Sequence, residues 1–124
     1  MNPEADDLMT SNPEGASGDR EPAPELRAGP GADELEADFE VVNTMGLHVR
    51  PATNLAMAAE RFRDTDVWLI KDGVKVDAKT PLLILTVAGV VGTRYTLRSR
   101  GPEAREALTE LLALAARKFD VEGD

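Results

Sequence analysis

Residues 43–53 of the 124-residue chain read NTMGLHVRPAT, and they join a predicted strand to a predicted helix. Gly46 permits a tight turn, and Pro51 suits the first turn of a helix. His48 is therefore expected at or just before the helix N-terminus. The first main-chain N–H groups of a helix lack intrahelical acceptors and the dipole there is positive, so this position favours an anionic group.

His48 is the only histidine of the chain, and its predicted position suits phosphoryl chemistry. A neutral imidazole nitrogen is nucleophilic near pH 7 and leaves readily in the return transfer. Arg50 is placed to donate charge-assisted hydrogen bonds to the same phosphoryl oxygens. The alternative is a capping or surface histidine, which is the commoner role of a lone histidine near a helix start.

Composition excludes several classes of protein. The formal net charge is −9, with 14 basic and 23 acidic residues, which argues against nucleic-acid binding. The absence of cysteine excludes disulfides, thiolate metal sites and cysteine nucleophiles, and a single histidine excludes a multi-histidine metal site. No apolar run has the roughly 20 residues that span a bilayer, and no secretory leader is recognisable. We expect a cytoplasmic protein without membrane insertion.

The acidic charge is concentrated at the N-terminal end. Residues 1–36 contain ten acidic and two basic residues, and they lack Val, Ile, Phe, Tyr and Trp. Such a segment buries too little apolar surface to offset the entropy of ordering it. The prediction is a disordered acidic tail over 1–36, serving as a solubilising leader or as a docking arm, and a folded domain over 37–124.

Periodicity in the remainder predicts the order β-α-β-β-α-β-α. The predicted strands cover 39–43, 66–71, 74–77 and 93–99, and the predicted helices cover 49–62, 82–87 and 101–119. Asp72-Gly73 is a strong hairpin signal between the second and third strands, and Thr80-Pro81 is a typical helix start. These elements favour an α+β fold with one sheet and its helices on one face.

The stretch Gly46–Thr53 resembles the active-site signature of HPr, the histidine-containing phosphocarrier of the phosphoenolpyruvate-dependent sugar phosphotransferase system of bacteria. A second landmark of that family recurs in residues 77–80 and in the glycine-containing loop 88–93. The similarity extends from about residue 39 to 119. It implies an open-faced β-sandwich, in which three helices cover one face of a four-stranded antiparallel sheet.

The resemblance also implies a function. In this family the histidine matched by His48 takes a phosphoryl group on Nδ1 from phosphorylated enzyme I and passes it to an IIA-type domain. Arg50 matches the active-site arginine of the family. Such a protein is a carrier without independent turnover, cofactor or metal, and it is expected to be a monomer.

Further residues are assigned by the same resemblance. The partner-docking residues would be Leu47, Val49, Thr53, Leu82 and Leu85. Thr80 occupies the place of a regulatory serine that HPr kinase/phosphorylase modifies in many bacteria. Here Pro81 follows and removes one main-chain donor at that helix start, which weighs against phosphorylation of Thr80.

Three other functions stay open. In the first, the phosphorylated and free forms of an HPr-like switch control a kinase or a transcription regulator, and no sugar is transported. The second is an interaction module without phosphoryl chemistry, against which the pair His48 and Arg50 weighs. An independent enzyme is least favoured, because no paired catalytic groups are recognisable.

Overall fold

Alternating apolar and polar residues form an antiparallel sheet in the computed structural model, which describes residues 25–124. Its strands are β1 (Arg27–Ala28), β2 (Glu34–Glu40), β3 (Asp66–Lys71), β4 (Val74–Asp77) and β5 (Arg94–Arg100). Their order across the sheet is β1-β2-β5-β3-β4, and every neighbouring pair is antiparallel. The turn between β3 and β4 is the predicted Asp72-Gly73 hairpin.

Three helices cover the inner face of the sheet. They are α1 (Val49–Glu60), α2 (Pro81–Leu85) and α3 (Ala104–Ala116), and a short 3₁₀ turn follows at Lys118–Asp120. This arrangement confirms the predicted α+β open-faced sandwich, with β1 as an additional strand. None of the helices in the described part of the chain is long and apolar enough to cross a membrane.

The core joins the centre of the sheet to the C-terminal segment. The ring of Phe39 on β2 stacks on Tyr95 of β5 at a centroid distance of 5.5 Å and meets Phe119 edge-on at 6.0 Å. The buried Tyr95 hydroxyl donates to the Val87 carbonyl at 2.5 Å. Because buried aromatic rings stabilise a small domain strongly, these contacts fix both the C-terminal turn and the loop that follows α2.

The structure corrects the predicted start of the domain. The boundary between residues 36 and 37 falls inside β2, and β1 pairs with the first half of that strand. Arg27 of β1 places Nη2 3.0 Å from both the Glu36 and the Asp38 carboxylates. The acidic residues of 34–38 therefore belong to the ion pairs of the sheet, and composition cannot distinguish them from those of a tail. Residues 1–24 of the predicted tail lie outside the described residues.

Most of the other boundaries differ from the prediction by one to three residues, and two of these differences bear on the region around His48. The first long strand ends at Glu40, so that residues 41–43 already lead into the loop before His48. Helix α3 ends at Ala116, and Phe119 is buried from a turn with positive φ values rather than from the helix. The apolar periodicity correctly indicated that Phe119 is a core residue, but it could not show that the backbone is left-handed there.

Candidate functional site

The loop before α1 depends on Gly46. Its φ is +75°, and a Cβ atom there would lie 2.3 Å from the Gly89 carbonyl oxygen. The Gly46 N–H donates to the Asn43 carbonyl at 2.9 Å, and the Leu47 N–H donates to Gly89 O at 2.8 Å. The loop 43–47 is thus pressed against the loop 88–92, and this contact sets where the next residue, His48, begins the helix.

His48 is the N-cap residue of α1. Its backbone is extended (φ −106°, ψ −163°), and its carbonyl accepts the first bond of the helix from the Ala52 N–H at 3.0 Å. The N–H groups of Val49 and Arg50 have no intrahelical acceptor, and Pro51 has no N–H. The positive end of the helix is therefore open beside the imidazole, whose side chain is 29% exposed.

Arg50 is exposed in the first turn of α1. Among residues 25–124 no carboxylate forms an ion pair with its guanidinium, whereas all four arginines of the sheet are paired with carboxylates. Its donors are available to an incoming anion. The described residues also contain no group of three or more His, Cys, Asp or Glu side chains that could hold a metal ion.

An aspartate from the C-terminal segment contacts the imidazole. Asp124 places Oδ2 2.9 Å from His48 Nε2, and its side chain is only 4% exposed. The Asn43 amide donates to the same oxygen at 2.9 Å, and the Met45 N–H donates to Oδ1 at 3.0 Å. These hydrogen bonds, from Asn43 first, then from His48 and Met45, lower the pKa of Asp124 to about 2. The carboxylate is therefore ionised at neutral pH.

A left-handed turn carries this aspartate to the site. Lys118, Phe119 and Asp120 have φ values of +58°, +53° and +58°, a conformation that L-residues with side chains rarely adopt. The Asn43 amide donates to the Lys118 carbonyl at 2.8 Å, and the Asn54 amide donates to the Phe119 carbonyl at 2.7 Å. Two asparagines thus hold the turn, and residues 121–124 return to the loop before α1.

Neither Asn43 nor Asp124 was predicted as a site residue. Asn43 was recognised only as the end of a strand, and 76 residues separate His48 from Asp124. The one available signal was a polar residue following an apolar strand directly before the His48 loop. No local pattern indicates that Asp124 returns to this loop.

The predicted docking residues fall into different environments. Val49 is 62% and Leu82 is 76% exposed, Thr53 is half-buried, and Leu85 is half-buried against the core. The docking assignment of Leu47 is wrong, because its side chain is 2% exposed and belongs to the core. We name the exposed apolar residues of the loops and helices near His48 the apolar rim: Met45, Val49, Met57, Leu82, Leu83, Val90 and Val91.

Thr80 begins α2, but its hydroxyl does not cap the helix. Instead it donates to the Asp77 carboxylate at 3.3 Å, and Pro81 occupies the first helical position. A phosphoryl group on Thr80 would meet the negative charge of Asp77 and would lack the N–H that Pro81 cannot supply. Phosphorylation of Thr80 stays a prediction, and both neighbours oppose it.

Comparison with known proteins gives a consistent result. The family model described as "PTS HPr component phosphorylation site" matches residues 35–117. The phosphocarrier protein HPr of Cupriavidus necator is 35% identical over 85 residues, which cover 68% of this chain and 94% of that protein. The HPr-like protein Crh of Bacillus subtilis is 42% identical over 79 residues, which cover 64% of this chain and 92% of Crh. The crystal structure of HPr-C-His from Thermoanaerobacter tengcongensis superposes with a TM-score of 0.66 at 33% identity and covers 70% of this chain and 97% of its own.

Proposed function

The chain belongs to the HPr family of phosphotransferase-system phosphocarriers, and from this premise we propose that His48 accepts a phosphoryl group from phosphorylated enzyme I and passes it to an IIA-type domain. The observation that carries the proposal is the position of His48 as N-cap of α1. Within residues 25–124, main-chain N–H groups without an acceptor lie next to the imidazole, and the arginine two residues further on forms no ion pair.

The main-chain N–H groups at the start of α1 and the Arg50 side chain can both stabilise the negative charge of the phosphoryl oxygens. The N–H groups of Val49 and Arg50 and the positive end of α1 stabilise negative oxygens close to the imidazole. The Arg50 guanidinium can donate two parallel hydrogen bonds to such oxygens. Phosphoryl transfer needs positioning and charge stabilisation more than covalent assistance, so the phosphohistidine intermediate requires no additional catalytic group from this chain.

The apolar rim supports docking of protein partners beside the histidine. Its residues come from the loop 43–47, α1, α2 and the loop 88–92. The two loops touch each other directly before His48, and α1, which His48 caps, packs against α2. A transient partner can bury these side chains and bring its own reacting group to the imidazole. We propose that donor and acceptor use this one face in turn, as a monomeric carrier in the cytoplasm requires.

A regulatory role is the second candidate. It is favoured by the 42% identity to the HPr-like protein Crh of Bacillus subtilis, whose crystal structure is described as that of a catabolite repression protein. In this case the phosphorylated and free forms of His48 bind a kinase or a transcription regulator differently, and no IIA-type domain receives the group. Both candidates share the first step, and they differ in where the phosphoryl group goes next.

The test of the first step is labelling of the purified protein. After incubation with enzyme I, phosphoenolpyruvate and Mg²⁺, we expect intact mass to increase by one phosphoryl group that acid removes. His48→Ala should not be labelled, and Arg50→Ala should be labelled about tenfold more slowly. Arg63→Ala is the matched control, because Arg63 is an exposed arginine beyond the other end of α1, and its rate should not change. Full labelling of His48→Ala would show that the site is assigned wrongly.

Onward transfer separates the two candidates. The phosphorylated protein is mixed with IIA-type domains, and the loss of the label from His48 is followed over time. Transfer at a rate close to that of a control HPr supports the carrier. A label that stays on His48 with every IIA-type domain contradicts the carrier and favours the regulatory switch.

A further inference from the structure

Asn43 lies at the beginning of the loop that carries His48, and its side chain is completely buried. Both hydrogen bonds of its amide nitrogen go to the C-terminal segment, to the Lys118 carbonyl at 2.8 Å and to Asp124 Oδ2 at 2.9 Å. Its Oδ1 has no partner among residues 25–124. A buried amide with an unpaired oxygen makes the fold less stable than an apolar side chain of the same size would. The two hydrogen bonds from its nitrogen therefore indicate a role for Asn43 beyond filling the core.

The orientation of this amide follows from its surroundings. Exchanging the oxygen and the nitrogen would place Oδ1 against a carbonyl oxygen and a carboxylate oxygen, both of which only accept hydrogen bonds. The nitrogen must therefore face Lys118 and Asp124. Asn43 acts as a fixed double donor toward the segment that returns to His48.

Both oxygens of the Asp124 side-chain carboxylate accept hydrogen bonds, and the main-chain oxygen of Asp124 also accepts from the Thr44 hydroxyl and from Lys118 Nζ at 3.0 Å. Oδ1 accepts the Met45 N–H at 3.0 Å, and Oδ2 accepts the Asn43 amide while it lies 2.9 Å from His48 Nε2. Because an ionised carboxylate can only accept, the neutral imidazole must carry its proton on Nε2 to complete this bond. The lone pair of the ring is then on Nδ1.

We propose that Asn43 is a positioning residue for phosphoryl transfer, which acts through Asp124 to keep the proton of His48 on Nε2 and the reactive lone pair on Nδ1. The inference rests on the proposed function and extends it to residues that do not touch the phosphoryl group. It assigns a role to the hydrogen bond from the Asn43 amide to Asp124 Oδ2, in addition to the support that the same amide gives the left-handed turn at Lys118.

The transfer step balances with this arrangement. The Nδ1 lone pair forms the new N–P bond while the bond from phosphorus to the donor's phosphohistidine breaks, and that electron pair stays on the donor nitrogen. His48 keeps its Nε2 proton and becomes a cationic ring, next to which the Asp124 carboxylate is the counter-ion. In the onward step the N–P bond breaks, its pair returns to Nδ1, and the neutral ring is regenerated.

Asn54 provides a matched control. Its amide also donates to the left-handed turn, at 2.7 Å to the Phe119 carbonyl, but it makes no hydrogen bond to Asp124. Asn54→Ala therefore removes the same kind of support from the same turn. Only Asn43→Ala also removes the hydrogen bond that orients the carboxylate.

The experiment compares four variants of the full chain: Asn43→Ala, Asp124→Ala, the double variant and Asn54→Ala. The rate of phosphoryl acceptance from phosphorylated enzyme I is measured by rapid quench. We expect a loss of about tenfold or more for each of the first two variants, because small misplacements of a reacting group are costly. The double variant should be no slower than the slower single variant, since both remove one connected unit. The rate of phosphoryl acceptance by Asn54→Ala should stay within about threefold of the rate of the unchanged protein.

Ring ¹⁵N chemical shifts of His48 above neutral pH report which nitrogen holds the proton, independently of transfer. We expect Nε2–H in the unchanged protein and in Asn54→Ala, and a mixture of both tautomers in Asn43→Ala. Asp124→Asn, which keeps the size of the side chain, should give a mixture as well and serves if Asn43→Ala does not fold.

Unchanged ring shifts in Asn43→Ala, or losses in rate that add fully in the double variant, would overturn the proposal. If the unchanged protein accepts no phosphoryl group, the proposed function fails, and the ring shifts alone decide whether Asn43 holds the proton on Nε2.

Discussion

Single residues of the His48 loop carry requirements that only the three-dimensional contacts explain. The sequence predicts that Gly46 makes a turn, and the structure shows why no other residue fits, since the loop 88–92 fills the space of a Cβ atom. The relation of His48 to Asn43 and Asp124 could not be predicted in the same way. The residues next to one another in the sequence indicate a tight turn. No local pattern indicates the hydrogen bond between His48 and Asp124, because the two residues are 76 positions apart.

Gly46→Ala should cost about 3 kcal/mol of unfolding free energy, because the new methyl group meets Gly89 O and the backbone must keep a positive φ. Gly73→Ala is the control, since Gly73 also has a positive φ (+81°) but nothing within 4 Å of its Cβ position. It should cost only about 1 kcal/mol. Urea unfolding measures both. Equal losses would show that the contact with the loop 88–92 is not what requires glycine at position 46.

At the scale of elements, prediction succeeded where the pattern is local. The hairpin β3–β4 and the beginnings of α1 and α2 lie where alternation, Asp-Gly and proline indicate them. Prediction was less good where tertiary contacts decide. Strand β2 begins earlier because Glu36 pairs with Arg27 and Arg98, and α3 ends earlier because Asn43 and Asn54 hold the reversed turn after it.

The five-residue helix α2 contributes both to the core and to the predicted docking surface, and a different side chain serves each of these two roles. Ile84 is fully buried, whereas Leu82 is 76% exposed. Ile84→Ala should lower the unfolding free energy by about 2–4 kcal/mol, because it leaves a cavity under the helix. Leu82→Ala should change stability by no more than about 0.5 kcal/mol but weaken binding to enzyme I about tenfold.

Calorimetric titration with enzyme I and urea unfolding of both α2 variants provide the comparison. Unchanged binding by Leu82→Ala would remove Leu82 from the docking surface and leave the rest of the apolar rim to be examined. A large loss of stability in Leu82→Ala would mean that the side chain packs against the protein and is not available to a partner.

For the whole molecule, the fold and the position of His48 at the start of α1 could be predicted, but the extent of the folded part could not. The sheet and its helices follow from periodicity, and the match to the HPr family model begins at residue 35. The predicted boundary at residue 36 relied on charge, and charge is a poor guide here. Arg98 places Nη2 2.6 Å from Glu36, and both side chains are less than one-fifth exposed. Acidic residues of this kind stabilise the sheet.

Two deletions test where the folded part begins. Removing residues 1–24 leaves every described contact in place, and the melting temperature should stay within about 2 °C. Removing residues 1–36 also deletes β1 and the half of β2 that pairs with Arg98, Ser99 and Arg100, and it leaves Arg98 without Glu36. Breaking a largely buried ion pair and three positions of a ladder costs about 2–4 kcal/mol, which lowers the melting temperature of a domain of this size by roughly 10–20 °C. Differential scanning calorimetry of both deletions gives the answer. If both deletions had the same melting temperature, β1 and the first residues of β2 would contribute nothing to stability. The domain would then begin at residue 37, as the charge pattern predicted.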